Sequence, residues 1–120
     1  MSKKILVVDD EKNILTAFQK ILEAGGYPVD TAENGAECLA KAAQNTYAAA
    51  LLDIQMPDML GTQLLGELKK IQPEIICIMV TGDPTMQHTV DALNQGAEAY
   101  IRKPVNKEQL LATLKEKIAS

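Results

Sequence analysis

Apolar and polar residues alternate along this chain in blocks of two periods, short continuous apolar runs and longer stripes at helical spacing. The runs fall at Ile5–Val8, Val29–Ala32, Ala48–Leu52, Ile75–Val80 and Ala99–Ile101. The first, third and fourth are almost wholly apolar, as for strands covered on both faces, and the second and fifth are more mixed, as for sheet edges. Between them, Ile14, Ala17, Phe18, Ile21 and Leu22 mark a first helix that Gly25-Gly26 ends. Ala36, Leu39, Ala40 and Ala43 mark a second behind Asn34, a candidate N-cap. Leu64, Leu68 and Ile71 mark a third, stopped before Pro73. Met86, Val90 and Leu93 give a weaker fourth, closed by Gly96; Leu111, Leu114 and Ile118 give a fifth, with Asn106 and Gln109 spaced as a capping box.

Strands alternating with helices of this length predict βαβ units, a parallel sheet with right-handed crossovers and a three-layer α/β sandwich. The 120 residues suit one domain, 1–120, with no linker or low-complexity segment inside it. A net charge of -4 with scattered Lys and Arg argues against direct nucleic-acid binding. No apolar stretch is long enough for a membrane span, and the expected compartment is cytoplasmic. Cys38 and Cys77 read as core thiols.

The candidate chemistry lies where the apolar runs stop. The first ends in Asp9-Asp10-Glu11, the third in Asp53, the fourth in Thr81 and the fifth in Lys103 after Arg102. In a parallel sheet these ends share one edge, and ligands bind there, near the point where strand order reverses. Clustered carboxylates repel unless one is protonated or a cation is bound, and hard oxygen donors suit Mg2+. Lys103 and Thr81 could meet phosphoryl oxygens, and Asp53 could serve as a carboxylate nucleophile. Each piece alone reads equally as a turn, a helix cap or a solvated loop; their convergence at four strand ends is the informative feature.

The segments ILVVDDE at 5–11, LLDIQMP at 51–57, MVTGD at 79–83 and GAEAYIRKP at 96–104 resemble the receiver domain of two-component response regulators over essentially the whole chain. The resemblance implies a doubly wound (βα)5, flavodoxin-like fold with a five-stranded parallel sheet of order 2-1-3-4-5. It implies Asp53 as phosphoacceptor and Mg2+ (or Mn2+) held by Asp10 directly, Asp9 mainly through water, Asp53, and the backbone carbonyl of Gln55. It further implies Lys103 against the phosphoryl group, a cis bond between Lys103 and Pro104, and a switch in which Thr81 and Tyr100 move together. That switch shifts the face of the fourth helix, fifth strand and fifth helix. The donor would be a histidine kinase or phosphotransfer domain, and the shifted face leaves room for a homodimer. The activity would be self-phosphorylation and slow self-dephosphorylation, not turnover as an enzyme.

Two positions depart from the family's habit: Leu60 stands where Asp is frequent, and Val105 where an aromatic commonly follows Lys-Pro, which predicts altered packing on the output face. Gln55 and Asp83 flank the site and are expected to tune dephosphorylation; Asp83-Pro84 also reads as the start of the fourth helix. His88 reads as a surface residue. Three other readings compete. A degenerate receiver would act only as a docking module. An aspartyl-phosphate phosphatase would carry an acid-base Asp where Gln55 stands. A flavin carrier would need a Gly- and Ser/Thr-rich loop where Asp9-Asp10-Glu11 stands.

Overall fold

The computed structural model describes residues 3–53, 58–82, 92, 94 and 96–119. Five strands, β1 (Ile5–Val8), β2 (Val29–Ala32), β3 (Ala49–Asp53), β4 (Ile76–Thr81) and β5 (Ala99–Arg102), form one sheet of order β2-β1-β3-β4-β5. Every adjacent pair is parallel. Four helices are described: α1 (Lys12–Ala24), α2 (Gly35–Gln44), α3 (Gly61–Ile71) and α4 (Lys107–Ala119). Of the expected helix over Met86–Leu93 only Ala92 is described, and it is helical, as is Asn94 just beyond; His88 and Pro84 lie outside the described residues.

Alternation along the central strands builds two cores. Leu6, Val8, Ala50, Leu52, Cys77 and Met79 point to one face and meet Cys38, Ala42, Leu64, Leu65 and Leu68 from α2 and α3. Ile5, Val7, Ala49, Leu51, Ile78, Val80 and Ile101 point to the other and meet Leu15, Phe18, Leu22, Leu110 and Leu114 from α1 and α4. Because side chains alternate with a period of two, both faces demand apolar residues, and the runs must be continuous. The mixed runs are the edge strands β2 and β5.

Phe18 and Leu22 of α1 and Leu64 and Leu68 of α3 are buried as expected, whereas the stripe of α2 is rotated by about one position. In α2 the inward residues are Gly35, Cys38 and Ala42, with Leu39 packed partly against them. Ala36, Ala40 and Ala43 face solvent. Alanine loses little by exposure, so the larger cysteine and leucine side chains set the rotation. In α3, Leu65 takes the buried place expected of Ile71, which is 42% exposed. In α1, Leu15 is buried and Ala17 exposed.

The ends follow their signals. Gly25 caps α1 and Gly26 follows at φ 93°, the left-handed geometry that glycine adopts without a Cβ clash. Asn34 Oδ1 accepts from Glu37 N–H at 2.8 Å, and Asn106 Oδ1 accepts from Gln109 N–H at 3.0 Å. Leu60 precedes α3 with no side-chain acceptor to offer, so only the reciprocal bond of a capping box forms, from Leu60 N–H to Gln63 Oε1 at 3.1 Å. Both cysteines are free and buried; burial pushes each thiol up to about 12, so both stay protonated at neutral pH.

Substitution within α3 tests the face assignment. Leu65→Ala is expected to cost about 2–5 kcal/mol in chemical denaturation, by lost transfer energy and a cavity. Ile71→Ala is expected to cost under about 1 kcal/mol, since much of that side chain already faces water.

Candidate functional site

The direction of strand crossing reverses between β1 and β3, because β1 leads outward to β2 on one side and the chain returns to place β3 on the other. Asp9 and Asp10 follow the last residue of β1, and Asp53 closes β3. Register pairs Val8 with Leu52, so Asp9 and Asp53 lie one step further along neighbouring strands. One ligand oxygen from each of Asp9, Asp10 and Asp53 lies within 4.8 Å of the others. Asp9 is buried, Asp53 half-buried and Asp10 exposed.

The fourth member arrives from β5. Lys103 Nζ donates to Asp9 Oδ2 at 2.9 Å and stands 3.7 Å from Asp53 Oδ2. Its backbone N–H donates to Thr81 O at 2.7 Å, extending the β4–β5 ladder by one residue. That bond fixes the root of the lysine, and the Lys103–Pro104 peptide bond just beyond it is cis. The other oxygen of Asp9 accepts from Glu11 N–H at 3.0 Å. Asp9 therefore has a satisfied carboxylate despite being 2% exposed, as a buried charge requires. Glu11 N-caps α1 without a side-chain cap bond of its own, and the Asp9 carboxylate takes the N–H of that N-cap residue.

Burial would depress the Lys103 ammonium. The hydrogen bond to Asp9, and the charges of Asp53, Asp9 and Glu11, outweigh that effect and hold it above the ordinary lysine value. Three carboxylates against one ammonium leave two uncompensated negative charges when all are ionised. A divalent cation offsets that surplus, and an all-oxygen donor set with one exposed member suits a hard ion that keeps some of its waters. The residues present therefore fit a divalent metal held by Asp9, Asp10 and Asp53.

Thr81 is 2% exposed at the end of β4. Tyr100, on β5, packs partly buried against the core shared with α2 and α3. The strand ends thus bring together Asp9, Asp10, Asp53, Thr81 and Lys103. Gln55 and Asp83 lie outside the described residues. Val105 packs partly buried against the core beneath α1 and α4 and lines an apolar groove of about 470 Å3 with Ile14, Phe18, Ile21 and Pro104.

The scan against family models matches residues 5–115 to the response regulator receiver domain. The chain belongs to that family. It is 36% identical over 115 residues to the transcriptional regulatory protein ZraR of Klebsiella oxytoca, covering 96% of this chain but 26% of that protein. The chain thus spans about a quarter of that relative's length. It is similar to a crystal structure of a CheY-like receiver domain protein from Methanospirillum hungatei JF-1, with TM-score 0.95 and 45% identity over 99% of this chain and 95% of that one. It is also similar to a Burkholderia pseudomallei response regulator crystallised with a phosphorylated aspartic acid, a calcium ion and citrate. There the TM-score is 0.90 and the identity 30%, over 98% of this chain and 69% of that one. The observed strand order is the one expected of a receiver domain.

One residue beside this receiver site was not singled out from sequence. Asp58, five positions after Asp53, reaches the first turn of α2. Its partners lie more than twenty residues away in sequence, and no local pattern marks such a contact.

Two measurements test the electrostatics. In EDTA, Asp10→Asn removes one uncompensated charge and is expected to raise the unfolding midpoint, whereas Asp9→Ala leaves Lys103 with the longer contact to Asp53 and is expected to lower it. A raised folded-state value means that the stability from Lys103 is fully present below the ordinary 10.5 and is lost as pH climbs through the higher folded value. Lys103→Met should therefore destabilise the protein at pH 7 to 9, and its difference from wild type should close only above pH 10.5.

Proposed function

We propose that this receiver domain, residues 1–120, is a phosphoryl switch in which Asp53 accepts a phosphoryl group from a histidine kinase or phosphotransfer domain. The observation that carries the reading is the Lys103 ammonium 3.7 Å from Asp53 Oδ2, beside two further carboxylates, at the strand-order reversal of a parallel sheet. A carboxylate oxygen of Asp53 attacks phosphorus as the bond from phosphorus to the donor imidazole nitrogen breaks, and the imidazole, protonated on its other ring nitrogen, leaves neutral. Positioning and charge neutralisation supply most of the catalysis in such transfers.

In this reading Asp10 and Asp53, with the backbone carbonyl of Gln55, hold Mg2+ (or Mn2+), and Asp9 acts mainly through water, since Lys103 and Glu11 N–H occupy its two oxygens. When bound, the metal ion neutralises charge on the carboxylates and on the phosphoryl oxygens. Lys103 is already charged and held by Asp9, so it meets an incoming phosphoryl oxygen with little reorganisation. The Thr81 hydroxyl donates to a second oxygen. Thr81 pairs with Arg102 across β4–β5, and Tyr100 lies two residues before Arg102 on the same strand, so movement of Thr81 and Tyr100 together shifts the surface of β5 and α4. Gln55 and Asp83 tune the later attack of water on the aspartyl phosphate. The chain catalyses only its own modification, and this reading places it in the cytoplasm. No described helix is long and apolar enough to cross a membrane.

Incubation with acetyl phosphate and Mg2+ followed by intact-mass measurement tests the reading. One phosphoryl adduct is expected, absent in Asp53→Asn and without divalent metal. Labelling in Lys103→Ala should slow by roughly a hundredfold, the scale for loss of one pre-placed charge stabiliser. Rapid turnover with no adduct would instead point to a phosphatase, and no adduct from any donor to a docking module.

A further inference from the structure

Strand β5 carries Lys103 to the site, yet it is itself lightly held. It has four residues of mixed character and pairs with β4 alone, so one ladder holds its backbone where the inner strands have two. At its far end the strand is pinned by Glu98, the residue just before it. Glu98 N–H donates to Cys77 O at 2.9 Å, and Glu98 Oε2 accepts from Cys77 N–H at 2.7 Å. Both backbone polar groups of Cys77, which has no exposed surface, are therefore bonded to Glu98. A buried N–H left without an acceptor is costly, so the carboxylate is well placed to hold this end of the strand. Its other oxygen, Oε1, pairs with the Lys69 ammonium of α3, which also donates to Ile75 O at 2.5 Å. Glu98 thus ties β5 to the start of β4 and to α3 at one point.

The acceptor site lies at the other end of the same ladder. Register runs unbroken from Ile78 with Ala99 to Thr81 with Arg102, and Lys103 N–H then donates to Thr81 O at 2.7 Å. A strand rises about 3.3 Å per residue, so the pin lies roughly 16 Å from the root of the lysine. Any slip of β5 along β4 therefore moves Lys103 against strands that do not move with it. Its ammonium stands 2.9 Å from Asp9 Oδ2 and 3.7 Å from Asp53 Oδ2, and both partners belong to other strands.

We propose, on the phosphoryl-acceptor reading above, that Glu98 is a positioning residue for Lys103: bonded to Cys77 and Lys69, it fixes β5 along β4 and so sets where the ammonium stands against Asp9 and Asp53. A purely local role would stabilise that end of the sheet and nothing more. The two differ in whether the effect of Glu98 passes through Lys103.

A double-mutant cycle on the rate of Asp53 labelling by acetyl phosphate and Mg2+ tests this, read by intact mass where every variant is folded. Glu98→Ala is expected to slow labelling by roughly tenfold, inside the hundredfold that a displacement of about 1 Å can cost. In the Lys103→Ala background the same change should alter the rate by less than about twofold, since no ammonium is left to misplace. Leu65→Ala leaves Glu98, Cys77 and Lys69 in place; it should lower the unfolding midpoint yet label as wild type does. Glu98→Gln keeps an oxygen for Cys77 N–H and loses the charge that Lys69 meets. It should fall between, and it carries the comparison should Glu98→Ala not fold. A second cycle needs no phosphoryl chemistry: in EDTA at pH 7, Lys103→Met should lower the unfolding midpoint less in the Glu98→Ala background than in wild type. Labelling of Glu98→Ala at the wild-type rate, equal slowing with and without Lys103, or equal slowing in Leu65→Ala overturns the proposal and leaves the acceptor reading standing. Wild type that never labels removes the acceptor reading, and the stability cycle then decides alone, additive losses overturning the role of Glu98.

Discussion

Three carboxylates can share the mouth of one sheet only where their charge is answered, and here the first answer is Lys103. Its ammonium bonds to the most buried of the three, Asp9, and stands within ion-pair reach of Asp53. Removing a charge of either sign from this group changes the balance for every other member. Asp9 is the pivot because one of its oxygens holds Lys103 and the other holds the backbone at Glu11. The remaining surplus of negative charge suits the site to a divalent cation.

The fold exists in the form that this cluster needs. Parallel pairing puts every strand's carboxyl end on one edge, and the reversal of strand order between β1 and β3 opens that edge between Asp9 and Asp53. Two apolar cores, one on each face, make the strands rigid enough to hold those ends in register. The β4–β5 ladder continues past Arg102 to the backbone of Lys103, which brings the lysine across two strands to reach Asp9.

The legibility of these features follows from their range. Strand positions were readable because a doubly covered strand must be apolar throughout, and the N-caps at Asn34 and Asn106 because a cap bonds within its own first turn. The buried faces of the helices were read less well. Alanine-rich α2 gives almost no hydrophobic contrast between neighbouring faces, so the choice of Cys38 over Ala36 or Ala40 fell to contact with the sheet. The packing of Val105 was not legible either: it joins the core beneath α1 and α4, a contact that composition does not reveal. Asp58 was passed over because its charge and its partners are separated by the whole of α2 and β3.

By itself the sequence determined the alternation of strands and helices, the parallel sheet, and the identity of Asp9, Asp10, Asp53, Thr81 and Lys103 as the residues at its strand ends. Those follow from local periodicity and from a topological rule that needs no coordinates. Tertiary structure alone decided which oxygen of Asp9 meets Lys103, which face of α2 turns inward, and that Asp58 closes back on Gly35 and Ala36. Hydrogen bonds and packing act over a few ångströms, and only the folded chain brings residues distant in sequence within that range.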